Sequence, residues 1–197
     1  LPSSIKEIFN NAFANSNISK LTFEDNVKLY DGFASECLFL EEVILAEGQI
    51  ELPPNAFFNN ISLRDIYIPR RLKVIGNACF YNCYSIKHID FHESLEHIDN
   101  YAFYGTNLNY IEVGKNVKYV GEMAFGHIQS LTTLVITSQM ARYGDMFITD
   151  ENDVNIYLKG NITDDHILSL LEFIKDDEFL LIDNFVLVER DGLKYLV

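Results

Sequence analysis

Ile75-Gly76-Asn77-Ala78-Cys79-Phe80-Tyr81-Asn82-Cys83, followed by the apolar triplet Ile86, Ile89 and Phe91, decides the fold, because the chain repeats it. The central Phe returns as Phe13, Phe33, Phe57, Phe80, Phe103, Phe125 and Phe147, at intervals of 20, 24, 23, 23, 22 and 22 residues. Most follow a small residue, as in Ala12-Phe13, Gly32-Phe33, Ala56-Phe57, Cys79-Phe80, Ala102-Phe103 and Ala124-Phe125. A period in the low twenties marks one supersecondary unit copied along a solenoid.

Working outward, each Phe is followed by apolar residues spaced as in Ile18-Leu21-Phe23, Leu40-Val43-Leu45, Leu63-Ile66-Ile68, Leu108-Ile111-Val113 and Leu131-Leu134-Ile136. The last two members of each triplet lie two apart, the period of a strand with one face inward. Upstream of the Phe sits a second apolar pair (Val27/Leu29, Leu72/Ile75, Leu95/Ile98, Val117/Val120), often followed by a turn former such as Gly76, Asp99 or Gly121. One such rung cannot cover its own apolar side, whereas stacked rungs bury a continuous core. The expected architecture is an α/β repeat solenoid over residues 1–160. It has about seven rungs of 20–24 residues, each one strand plus a short turn or helical segment.

Beyond Phe147 the register decays, with Ile156 and Leu158 reading as a last strand. From Thr163 the period turns helical, with Ile167, Leu168, Leu170, Leu171 and Ile174 on one face and Asp164 and Asp165 at the N-terminal end. Asp191-Gly192 between two β-prone runs predicts a hairpin. Residues 161–197 are therefore expected to form a helix and β-hairpin, either a cap on the stack or the start of a further block.

Fifteen Lys and Arg against 29 Asp and Glu give a net charge of −14, with no basic run to offset it. Nucleic acids and anionic membranes need a positive surface, so neither is an expected partner. No apolar run approaches the ~20 residues that span a bilayer, so no membrane insertion is expected. An acidic surface favours basic proteins or divalent cations.

Three cysteines make no disulfide framework. Cys37 and Cys83 share a repeat position two rungs apart, ~10 Å at ~4.8 Å per rung, beyond the ~7 Å limit for bridging. Cys79 with Cys83 is the local pair; buried free thiols are the reading adopted. His88-x-Asp90-x-His92 places three polar residues on the exposed side of one strand, yet its imidazoles stand ~13 Å apart and cannot share a metal. Asp150-x-Asn152-Asp153 lacks the Gly and distal Glu of a calcium loop. No metal, cofactor or catalytic set is expected. Of the sequons, Asn17-Ile18-Ser19, Asn60-Ile61-Ser62 and Asn161-Ile162-Thr163 matter only in a secreted eukaryotic protein.

The outward strand positions carry more information: Lys20/Thr22, Glu42/Ile44, Asp65/Tyr67, His88/Asp90, Tyr110/Glu112, Thr133/Val135 and Asn155/Tyr157. Tyr67 and Tyr110 should flank His88 and Asp90 across three rungs, with Glu112 beside them and Ile44 and Val135 as apolar edges. Aromatics ringed by acids are the composition of a protein-recognition patch. The competing account is that Tyr and β-branched residues simply favour strands.

The Ile75–Cys83 motif, Ile66-Tyr67-Ile68-Pro69 closing another rung and Leu1-Pro2 opening one resemble the BspA-like leucine-rich repeat family, clearly over residues 1–140 and in degraded form to 160. That resemblance implies a leucine-rich repeat stack. It also implies a cell-surface or secreted protein associated with adhesion to host, matrix or microbial proteins. In that family a charged hairpin often precedes further repeats, and the chain, opening inside a repeat, is expected to be a fragment or processed form. The leading reading is a non-enzymatic binding module contacting a protein through Ile44, Tyr67, His88, Asp90, Tyr110, Glu112 and Val135. The alternative is a structural spacer with no ligand of its own. An enzyme would need a concave acidic cleft that the sequence does not show, and oligomeric state is not legible.

Overall fold

The computed structural model describes residues 1–138, 141–144, 154–159, 187–190 and 193–196, the last two segments as backbone strands. Within them the chain winds as a parallel β-solenoid. Six turns are described through all their elements, against the expected seven. Of the seventh only strands are described, and Phe147 lies outside the described residues.

Three hydrogen-bonded lines run along the stack. The first is the expected strand face. Here β2 (Lys20–Thr22), β4 (Glu42–Ile44) and β6 (Asp65–Tyr67) pair in parallel. So do β9 (Tyr110–Val113), β11 (Thr133–Ile136) and β13 (Asn155–Leu158). Register joins Ile44 to Tyr67 and Glu112 to Val135 and Tyr157, so the outward positions do form columns. The second line comes from the upstream apolar pairs: β5 (Glu51–Leu52), β7 (Val74–Ile75), β8 (His97–Ile98), β10 (Tyr119–Val120) and β12 (Arg142–Tyr143). The separate pair β1 (Glu7–Ile8) and β3 (Lys28–Leu29) precedes it.

The third line corrects the α/β expectation: among the described residues there is no helix, and the segment around each Phe is a ladder of turns. Asn55, Phe57 and Asn59 donate their N–H groups to the carbonyls of Asn77, Cys79 and Tyr81 in the next rung. Ala78, Phe80 and Asn82 do the same to Asn100, Ala102 and Tyr104. Donors committed to a neighbouring rung are lost to an i−4 helix. The alternation requires left-handed backbone on both sides of the Phe, at Asn11/Asn15, Gly32/Glu36, Asn55/Asn59, Ala78/Asn82, Tyr101/Gly105 and Met123/His127. Asn and Gly suit those φ values. The C-terminal helix expected from Thr163 lies outside the described residues. The hairpin is seen: β14 (Leu187–Arg190) pairs antiparallel with β15 (Leu193–Leu196), which pairs antiparallel with β13.

Ladder register also revises the repeat at its second copy. Phe13 N–H bonds Phe33 O, and Ala34 N–H bonds Ala56 O, so Ala34 rather than Phe33 occupies the Phe position. Phe33 is still fully buried, turned edge-on to Phe57 at 5.3 Å. From there the rings stack face to face: Phe57–Phe80 at 5.5 Å, Phe80–Phe103 at 5.1 Å and Phe103–Phe125 at 5.7 Å. Each such pair adds roughly 0.5–1.5 kcal/mol beyond burial. Three residues after the Phe position lies a column of Cys37, Asn60, Cys83 and Thr106, all buried. Cys37 Sγ, Asn60 Nδ2 and Cys83 Sγ donate to the carbonyls of Phe13, Ala34 and Phe57 in the preceding rung. The three cysteines are free, and burial pushes the Cys79 and Cys83 thiols well up, away from nucleophilic use. Asn60 is fully buried with both ends of its amide engaged, so the Asn60 sequon is closed to glycosylation in the folded chain.

On the second sheet Glu96 bridges Lys73 (2.9 Å) and Lys118 from adjacent rungs. Hydrogen bonds from Lys118 and Lys73 hold its carboxyl down at about 2. A depressed carboxylate stabilises the fold above its unfolded pKa, and that contribution fades as pH falls through its folded value.

Three outcomes follow from this architecture, each read by denaturant unfolding. Phe80→Ala should cost roughly 3–5 kcal/mol by cavity formation, and Phe13→Ala, half-buried in a terminal rung, distinctly less; equal losses would contradict the stack. Gly105→Ala should cost about 1–3 kcal/mol, because φ is +68° and a Cβ would stand 2.6 Å from Asn82 Oδ1. Gly114→Ala, with nothing within 4 Å, should stay within about 0.5 kcal/mol. Glu96→Gln should flatten the loss of stability between pH 4.5 and about 2 relative to the parent chain.

Candidate interaction surface on the strand face

The strand face is not continuous. In the fourth rung Ile86 and Ile89 are buried and Phe91 is half-buried against Phe103 at 5.4 Å, as the triplet pattern demands. Yet residues 86–92 form no strand, and residues 87–91 make no backbone–backbone hydrogen bond. His88 and Asp90, expected on a strand, therefore sit on an extended crossing that splits the face. A three-stranded sheet lies on one side; β9, β11, β13, β15 and β14 lie on the other. Ile66, at the edge facing the break, is only partly buried where its counterparts Val43 and Ile111 are closed.

The break opens a cleft of about 310 Å³ whose walls include Asp90, Phe91, Tyr110, Glu112 and Lys115. Three expected residues, Asp90, Tyr110 and Glu112, thus share one concavity. His88 Nε2 stands 2.9 Å from Asp90 Oδ1 at its rim, with both side chains largely exposed. Tyr110 is half-buried, and its hydroxyl donates to Glu112 Oε2 at 2.7 Å. Desolvation, then that bond, raises the phenol to about 12, so it stays a neutral donor. Asp90, Glu93 and Glu112 face one lysine, Lys115, which pairs with Glu93 at 2.9 Å. The lining is acidic with an aromatic wall.

The remaining expected residues are placed elsewhere. Tyr67, 41% exposed, turns toward the preceding rung and donates to Glu47, a bond that raises its phenol. Ile44 lies in register beside it, so these two belong to the three-stranded side. Val135 is not an exposed apolar edge: it is buried, flanked in register by Glu112 and Tyr157. His92 turns its Nε2 to Ile68 O at 3.0 Å, away from the His88–Asp90 pair. Among the described residues no three His, Cys, Asp or Glu side chains converge as a metal site, and Asp150, Asn152 and Asp153 lie outside them.

Sequence reasoning overlooked a second aromatic feature. The residue after each mid-stack Phe is also aromatic, and Phe58, Tyr81 and Tyr104 stack at 5.1 and 4.8 Å along the turn ladder. The doublets Phe57-Phe58, Phe80-Tyr81 and Phe103-Tyr104, spaced by 23, carried the signal.

No helix among the described residues is long and apolar enough to cross a membrane. No curated protein matches the chain. Among solved structures, the T. pallidum leucine-rich repeat protein is similar at 21% identity and TM-score 0.69, over 91% of this chain and 84% of that one. The pneumococcal vaccine antigen PcpA gives 18% and 0.52, over 88% and 58% respectively. A leucine-rich repeat protein from Bacteroides ovatus gives 18% and 0.52 over 68% of this chain, which spans 46% of that protein's length. At these identities the likeness shows the fold. The BspA type Leucine rich repeat region matches in six copies over residues 1–83 and 50–165, and the chain belongs to that family.

Proposed function

We propose that this chain is a non-enzymatic binding module acting at the cell surface or after secretion, and that it takes a basic protein segment at the break in its strand face. The observation that carries this is the cleft beside Asp90: half-buried Tyr110 supplies an apolar wall, and three carboxylates stand against one lysine. Tyr contributes contact area at low entropic cost, and unbonded main chain at 87–91 offers donors and acceptors to an extended partner. Net charge −14 steers positive partners toward it. Location at the surface is supported by the family and by the vaccine-antigen description of one similar structure. A spacer without a ligand is the competing reading, favoured by the way His88–Asp90 and Tyr110–Glu112 satisfy each other internally.

The experiment is a pull-down of the folded chain against extracellular-matrix and cell-surface proteins, repeated at raised salt. A saturable partner is expected, weakened at least tenfold by Tyr110→Ala with Asp90→Asn and weakened by salt as the Debye length shortens from about 8 Å toward 3 Å. Tyr67→Ala, on the other half of the face, should have the smaller effect. A partner indifferent to all three substitutions would place binding elsewhere; no partner at all would leave the spacer reading standing.

A further inference from the structure

We infer that the chain carries a second site, a subsite for a neutral saccharide, in the cleft between Tyr84 and His127. Turn-ladder bonds from Asn59, Asn82 and Gly105 align those residues with His127 at one repeat position. Two residues later the column reads Ile61, Tyr84, Asn107 and Gln129. It is exposed throughout, and changes from apolar to amide at Tyr84.

Tyr84 is the ring that remains available. It is 53% exposed, and its Cε1 lies 3.6 Å from where a Cβ on Gly105 would stand, so the ring leans over bare backbone. Tyr104, by contrast, is stacked on Tyr81 at 4.8 Å and flanked on its other side by a tilted His127 at 5.4 Å. Between Tyr84 and His127 lies a cleft of about 350 Å³, whose walls also bear Asn82, Asn107 and Gln129. That volume is at the lower end of small-molecule sites, room for about one sugar ring with its neighbours in solvent.

The lining chemistry selects the ligand. Among the described residues no Asp, Glu, Lys or Arg lines the cleft, in a chain where 22% of residues are charged. An anion finds no Lys or Arg there among the described residues, and only the imidazole of His127 as a group that can become positive. A cation finds no carboxylate there among the described residues. Side-chain amides both donate and accept, as sugar hydroxyls do. The Asn107 side chain is exposed on the cleft wall. The electron-rich face of Tyr84 suits the C–H face of a pyranose. This inference shares no residue with the strand-face cleft and stands or falls separately.

The test is a titration of the isotope-labelled chain with glucose, galactose, mannose and N-acetylglucosamine, with glucuronic acid and glucosamine as charged controls. The signals followed are the Tyr84 ring and the Asn107 and Gln129 amides. A saturable shift with at least one neutral sugar is expected, with Kd on the order of 1 mM for a single ring. Tyr84→Phe should retain it and Tyr84→Ala weaken it at least tenfold. Tyr110→Ala with Asp90→Asn should leave it unchanged. No saturable shift at about ten times that concentration, binding by the charged sugars alone, or equal affinity in Tyr84→Ala would overturn the assignment.

Discussion

Each of the first five rungs hands its main-chain N–H groups to the next at three positions around the Phe position, and this rung-to-rung bonding fixes the register on which the rest of the molecule depends. It places Phe57, Phe80, Phe103 and Phe125 directly over one another and sets the spacing of the second aromatic line at Phe58, Tyr81 and Tyr104. It also aligns Cys37, Asn60 and Cys83 so that each side chain reaches back to a carbonyl of the rung before it. Chemically different residues thus perform one task in one column, because geometry asks only for a short side chain with a donor. Left-handed backbone at Ala78, Tyr101 and Met123 is retained because the neighbouring rungs over-determine it.

The interaction surfaces depart from this regularity in opposite ways. On the strand face, the fourth rung keeps its inward residues and drops its strand bonds, and a cleft appears where the ladder is missing. On the turn side the ladder is intact, and Gly105 removes a side chain just where Tyr84 leans across. One cleft is acidic; the other, among the described residues, is lined by no Asp, Glu, Lys or Arg. The same scaffold therefore offers two recognition chemistries on different lines of the stack.

The period, the buried triplets and the outward columns were legible because bulky apolar residues repeat at fixed offsets, and Asp191-Gly192 marked its hairpin. The turn ladder was not legible: left-handed φ is carried by Asn, Gly, Glu, Ala, Tyr, Met and His in turn, with no common residue to count. Gly32-Phe33 imitates the small-residue–Phe pair and hid the fact that Ala34 fills the ladder position. The break at 87–91 was invisible because Ile86, Ile89 and Phe91 preserve the pattern of a strand that does not form. Val135 reads outward by period, yet it is buried between Glu112 and Tyr157 in register, which alternation alone does not reveal.

The break has a mechanical meaning. Between the fifth and sixth rungs, as between the first and second, three hydrogen-bonded lines share tension along the stack; at the fourth only the second sheet, through β7 and β8, and the turn ladder are continuous. The two halves of the strand face can change their separation without breaking a strand bond, so the solenoid bends most easily about an axis through the other two lines. A partner seated in the cleft would act as the missing third tie, and a pull on the stack that widened the gap would loosen its hold.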